Sequence, residues 1–202
     1  MLDTRARKYV QPILDGIANA CLRLGVSANA LTVIGMLVGV VAALLVLNGY
    51  TLAGFVVLWL SGLIDAADGT LARLTRPSAL GAILDITFDR VVEVAMIVAL
   101  ACIFPDARFV LVILAGVIAI AMSLFLSIGA AVANQSSKSF HYAPGLGERT
   151  EAFICLSLMV LDGSRLVLWT WVFIGVIVFT MAQRLYHAYG TLSADVDRNA
   201  TR

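Results

Sequence analysis

Residues 65–73 read Asp65-Ala66-Ala67-Asp68-Gly69-Thr70-Leu71-Ala72-Arg73, and residues 81–90 read Gly81-Ala82-Ile83-Leu84-Asp85-Ile86-Thr87-Phe88-Asp89-Arg90. Four aspartates stand here inside otherwise apolar sequence. The surrounding chain is apolar too. Of its 202 residues, 61% are hydrophobic and only 13% charged, where a soluble domain carries roughly a quarter charged residues. The mean hydropathy is +0.96. So much apolar surface calls for a lipid solvent, and an ionised group within a membrane span costs on the order of 2.5–3.5 kcal/mol. Four such groups therefore require compensation.

Outward from the acids, six segments are apolar over lengths that suit membrane helices, for which about 20 residues are needed. They cover residues 31–47, 52–71, 80–104, 109–133, 151–161 and 166–185, the fifth being short. Asn48-Gly49, Pro77, Pro105, Pro144-Gly145 and Asp162-Gly163 punctuate them. The expected fold is all-α: a polytopic membrane protein with six transmembrane helices in one bundle, forming a single domain over residues 1–202. Residues 1–28 precede the bundle of residues 29–190. Tyr9, Val10, Ile13, Ile17, Cys21 and Leu24 recur at helical spacing behind Arg5, Arg7 and Lys8. That pattern suits an amphipathic helix in the membrane interface, and equally a short helix packed on the bundle. Residues 191–202 are expected to form a polar, frayed tail.

Charge placement orients the bundle. With the N-terminus in the cytoplasm, Arg73, Arg76, Lys138, Arg149 and Arg184 fall inside, and Arg108 and Arg165 outside, as the positive-inside bias requires. Both termini and the acid-bearing ends of spans two and three are then cytoplasmic. A net charge of +1 gives no case for nucleic-acid binding. Cys21, Cys102 and Cys155 show neither metal spacing nor a disulfide framework.

Asp65 and Asp68 are three residues apart, Asp85 and Asp89 four apart, so each pair shares a helix face. The loop between the two spans is short, which predicts antiparallel neighbours with all four carboxylates converging near the cytoplasmic surface. Bound divalent cations would relieve their mutual repulsion. An all-oxygen ligand set, with no Cys or His close in sequence, suits Mg2+ or Mn2+ rather than Zn2+. Gly69, Ala72 and Gly81 leave room for a phosphate or planar base, although such small residues also serve close helix packing.

At these positions the sequence resembles the CDP-alcohol phosphotransferase family, whose signature is D-x2-D-G-x2-A-R followed, after seven or eight residues, by G-x3-D-x3-D. Asp65, Asp68, Gly69, Ala72, Arg73, Gly81, Asp85 and Asp89 match it throughout. The Pro-Asn-x-Leu-Thr element that often precedes the first span is represented by Ala28-Asn29-Ala30-Leu31-Thr32, without the proline. The resemblance implies transfer of a phosphoalcohol group from a CDP-alcohol, such as CDP-diacylglycerol, to an acceptor hydroxyl with release of CMP. It implies two Mg2+ or Mn2+ ions held by Asp65, Asp68, Asp85 and Asp89, with Asp89 also the catalytic base. It implies a CDP site of Gly69, Ala72, Arg73, Gly81, Asn29 and Thr32. Ser27 or Asn29 also qualifies as the cap of the first span.

The acceptor is left open among alcohols, with glycerol 3-phosphate or another polyol phosphate expected. Arg90, Lys138 and Arg149 are the candidate contacts for its phosphate; Lys138 and Arg149 also qualify as headgroup anchors. Glu93 extends the acidic stripe and either pairs with Arg90 or shapes the acceptor pocket. Gly35-x3-Gly39 packs helices within the bundle or between the subunits of an expected homodimer. Two other readings compete: an intramembrane prenyltransferase, against which the single compact acidic cluster argues, and a divalent-metal transporter, whose acids belong near the membrane midplane.

Overall fold

Capping chemistry sets where the helices begin and end. In the computed structural model, which describes residues 2–135 and 149–200, Ser27 Oγ accepts from the Ala30 amide at 3.2 Å and starts one helix. Ser78 Oγ accepts from the Gly81 amide at 2.9 Å and starts another, directly after Pro77. Gly25 (φ +70°) and Gly49 (φ +84°) take the left-handed conformation that closes helix C-termini. The described residues form seven helices: α1 (Leu2–Arg23), α2 (Ala28–Leu47), α3 (Thr51–Leu74), α4 (Ala79–Ile103), α5 (Arg108–Gln135), α6 (Arg149–Leu161) and α7 (Leu166–Ala200). Short 3-10 turns at Pro105–Ala107 and Gly163–Arg165 lead into α5 and α7.

The all-α expectation holds, and each expected span lies on a helix. Among the described residues, four stretches are long and apolar enough to cross a bilayer: Ala28–Leu47, Thr51–Leu74, Pro105–Ala131 and Gly163–Gly190. α4 has the length, at 25 residues, but Asp85, Asp89, Arg90 and Glu93 interrupt its apolar run. α6 has only 13 residues, about 20 Å at 1.5 Å per residue, less than the ~30 Å hydrocarbon core. Residues 191–200 of the expected polar tail are helical in backbone. The backbone stays helical to Ala200, so α7 runs 35 residues. Loss of hydrophobicity after residue 192 does not stop a helix when neither proline nor glycine follows.

The packing centre is α2. It packs most extensively on α3, then on α4, whereas direct contact between α3 and α4 is sparse at most. This corrects the expectation of α3 and α4 as packed neighbours. α2 enters as a wedge because Gly35 and Gly39 lack side chains. A Cβ on Gly39 would fall 2.4 Å from Val92 Cγ2 of α4 and 2.8 Å from Ser61 Oγ of α3. Ser61 Oγ donates to the Gly35 carbonyl at 2.7 Å across the α2–α3 contact. The two glycines thus work within the bundle. Leu58, Met96, Leu100, Leu111, Leu114, Leu156 and Met159 fill the core beyond them. α1 lays Leu14 and Ala18 on Leu31, Ala67 and Leu71, beside the acidic segment. Leu37, Leu60, Ile83, Val98, Val112, Ile120 and Val178 remain exposed, an apolar exterior suited to lipid.

Candidate active site

The wedge leaves a gap between α3 and α4 where the acids meet. Asp65 and Asp68, 7% and 5% exposed, come from α3. Carboxylate oxygens of Asp65, Asp68 and Asp85 lie within 4.8 Å of one another. Asp89, one turn further along α4, lines the same cavity but stands outside that tight group. Gly35 helps set this arrangement, since its missing Cβ would face Asp65 N at 3.6 Å. Asp68 Oδ2 is buried without a hydrogen-bond partner. A buried carboxylate oxygen without a donor is costly unless something else, such as a cation, meets it. Oxygen-only donors at this spacing fit hard cations such as Mg2+ or Mn2+, whose ligand bonds run about 2.0–2.1 Å for Mg2+.

The cavity encloses about 990 Å3 and brings in every described residue expected for the CDP site: Asn29 and Thr32 from α2, Gly69, Ala72 and Arg73 from α3, and Gly81 from α4. Because Ser27 caps α2, the Asn29 side chain is available to the cavity. Its Oδ1 sits 3.0 Å from where a Cβ of residue 81 would lie, and Ser78 Oγ sits 3.1 Å from that point. Any side chain at Gly81 would crowd both. Gly69 opens the opposite wall, its nearest neighbour being Arg73 Nη1 at 3.6 Å. Arg73 Nη2 donates to Thr70 Oγ1 at 2.8 Å, which steers the guanidinium along α3.

Sequence reading misses the other walls. Val10 and Leu14 of α1 line the cavity, as do Trp59, Leu60, Gly62 and Leu63 of α3 and Thr150 and Phe153 of α6. Trp59 Nε1 donates to Ser157 Oγ at 2.9 Å, and the Trp59 and Phe153 rings meet edge to face at 6.1 Å. A Cβ on Gly62 would come within 2.8 Å of Phe153. No local motif announces a contact between segments so distant in the chain. Arg76 and Ser78, in the α3–α4 loop, also line the cavity and adjoin the signature.

The acceptor candidates fare differently. Arg90 does not line the cavity; its Nη2 lies 2.7 Å from Glu93 Oε1. Lys138 lies outside the described residues. Arg149 begins α6, next to the cavity-lining Thr150.

Known proteins resemble the chain in sequence and in architecture. Residues 25–183 match the CDP-alcohol phosphatidyltransferase family. The archaetidylinositol phosphate synthase of Methanothermobacter thermautotrophicus is 31% identical, the match spanning 92% of this chain and 91% of that protein. The inner membrane protein YnjF of Escherichia coli is 27% identical, over 96% and 98% of the two chains. Among solved structures, the phosphatidylinositol phosphate synthase of Mycobacterium tuberculosis in complex with manganese and citrate superposes with a TM-score of 0.69 at 25% identity, covering 87% of this chain and 88% of that one. The same enzyme with CDP-DAG bound gives a TM-score of 0.73 at 24% identity, covering 88% and 94%.

Proposed function

The chain belongs to the CDP-alcohol phosphatidyltransferase family, and from that membership we propose that it transfers the phosphatidyl group of CDP-diacylglycerol to the hydroxyl of inositol phosphate, releasing CMP. It is an integral membrane transferase of that class. The observation that carries the reading is the gathering of Asp65, Asp68 and Asp85 oxygens within 4.8 Å, in a cavity that also holds the rest of the signature. The sequence itself leaves the acceptor open, with glycerol 3-phosphate or another polyol phosphate expected. Inositol phosphate suits the relatives better, since two are named for inositol phosphate lipids. The donor follows the mycobacterial enzyme, which binds CDP-DAG.

In this reading Asp65, Asp68 and Asp85, with Asp89, hold two Mg2+ or Mn2+ ions. Bound there, the cations screen the diphosphate and stabilise charge on departing CMP. Asn29, Thr32, Gly69, Ala72, Arg73 and Gly81 receive the cytidine diphosphate. Asp89 takes the proton of the acceptor hydroxyl. The acceptor oxygen forms its bond to the phosphorus that bears diacylglycerol. The bond from that phosphorus to the bridging oxygen breaks, and its electron pair leaves with CMP. Lys138 and Arg149 receive the phosphate of the acceptor.

The topology belongs to the same proposal: a six-helix transmembrane bundle of α2–α7, in which the 13 residues of α6 reach only part of the way across, α1 in the interface, and both termini and the site facing the cytoplasm. So do the single domain and a homodimeric state. The test is purified protein with labelled CDP-diacylglycerol, Mn2+ or Mg2+, and a panel of alcohols. Product lipid and CMP with inositol phosphate are expected. Product with glycerol 3-phosphate alone overturns the acceptor. No CMP with any acceptor, alongside turnover of a prenyl diphosphate or metal uptake into vesicles, overturns the reaction.

A further inference from the structure

Below the acids, α4 carries one more charged pair that the proposed chemistry does not use. Glu93 lies one helical turn beyond Asp89 and is 3% exposed. Its Oε1 lies 2.7 Å from Arg90 Nη2. Its Oε2 and the Arg90 Nε are buried without hydrogen-bond partners. Neither residue lines the cavity, while Asp85 and Asp89 of the same helix do. Stability alone is a poor account of this pair. The Arg90 side chain is 34% exposed and that of Glu93 3%, and an ion pair that is half in solvent and half desolvated contributes little net stability.

Charge offers a better account. Arg90 follows Asp89 directly in the chain, and its guanidinium is a permanent cation. Near a cluster that must collect divalent cations, an uncompensated positive charge opposes binding, even where the side chain that bears it is, like Arg90, partly solvated. We infer that Glu93 is a positioning residue for the metal site: it ties the Arg90 guanidinium outside the cavity and cancels its charge, so that Asp85 and Asp89 present an undiminished negative field to the cations. The inference rests on the metal assignment made above. It also explains why an acid stands where none is needed as a ligand.

The test is Mn2+ titration by electron paramagnetic resonance on purified protein in lipid nanodiscs, which needs no turnover. Glu93→Gln frees the charge of Arg90 and keeps the side-chain shape. A charge beside a carboxylate shifts its equilibria by about tenfold or more, so Glu93→Gln is expected to weaken Mn2+ binding by about that factor. The double variant Arg90→Gln with Glu93→Gln removes both charges and is expected to return within about twofold of the parent; Arg90→Lys, which keeps the pair, is expected to match the parent. A merely structural pair gives a different pattern: both Gln-bearing variants lose thermal stability and bind Mn2+ alike. That result, or parent-like binding by Glu93→Gln, overturns the inference. If Glu93→Gln does not fold, a double variant with binding weakened about tenfold overturns it equally. A parent chain that binds no Mn2+ brings down the metal assignment together with this inference, whereas a binding parent with indifferent variants brings down this inference alone.

Discussion

Two helical hairpins of this protein share a short connection and diverge in everything that follows. α3 and α4 are joined through Thr75–Ser78, α6 and α7 through Asp162–Arg165. α6 and α7 pack on each other directly, whereas α2 stands between α3 and α4. In the α6–α7 hairpin, buried hydroxyls satisfy themselves on their own helix: Ser157 Oγ donates to the Phe153 carbonyl at 2.6 Å and Thr170 Oγ1 to the Leu166 carbonyl at 2.7 Å. At the turn, Asp162 accepts from Ser164 Oγ and Trp169 Nε1. These two donors, with Arg165 nearby, hold its carboxyl below the usual range. In the α3–α4 hairpin, buried acids point at a shared space, and Asp68 Oδ2 has no donor. The hydroxyls of one hairpin close on their own backbone, whereas the Asp68 carboxylate of the other faces a shared cavity.

The largest expected effect falls on Asp89. Asp89→Asn removes the base while preserving shape, and CMP release should drop about a thousandfold. Mn2+ binding by this variant should largely persist; turnover near the parent's would take the base role from Asp89. Next comes Asp68→Ala, which deletes a buried ligand. Mn2+ affinity measured by titration should fall at least about tenfold, and an unchanged titration would remove Asp68 from the metal site.

Gly39→Ala tests the wedge itself. The new methyl would sit 2.4 Å from Val92 and 2.8 Å from Ser61, so α2 must move away from both partners. A loss of about 1–3 kcal/mol in unfolding free energy is expected, with weaker Mn2+ binding as the gap between α3 and α4 changes width. Parent-like stability would mean that α2 is not held so close. The smallest effect belongs to Thr170→Val in the other hairpin. Thr170 is fully buried, yet its hydroxyl only reinforces a helix carbonyl, so the change in stability should stay under about 1 kcal/mol and CMP release should be unaffected. A slowing comparable to that of Asp68→Ala would erase the distinction between the hairpins.

Local spacing makes the acids legible in the sequence. Asp65 and Asp68, and Asp85 and Asp89, share helix faces whatever the bundle does, and Gly69, Ala72 and Gly81 lie within a turn or two of them. The aromatic wall is not legible, because Trp59 and Phe153 meet only once α3 and α6 are docked. Nor is the choice between Ser27 and Asn29 as helix cap; each has suitable chemistry, and the backbone geometry selects Ser27. Arg90 shows the same limit. A cation beside an acid of the signature invites assignment to a substrate phosphate. Glu93, one turn along the helix, is a partner that spacing permits and only the contact itself establishes.

By itself the chain dictated helices, their apolar exterior and the chemical identity of the acids, since these depend on residue type and on periods of a few residues. Tertiary structure alone decided that α2 parts α3 from α4, that three of the four aspartates gather tightly while the fourth stands a turn away, and that α1 and α6 complete the walls. The physical reason is one of range. Hydrophobicity and helix periodicity act between near neighbours in sequence, whereas the approach of helices depends on which side chains are missing at their crossing, here Gly35 and Gly39.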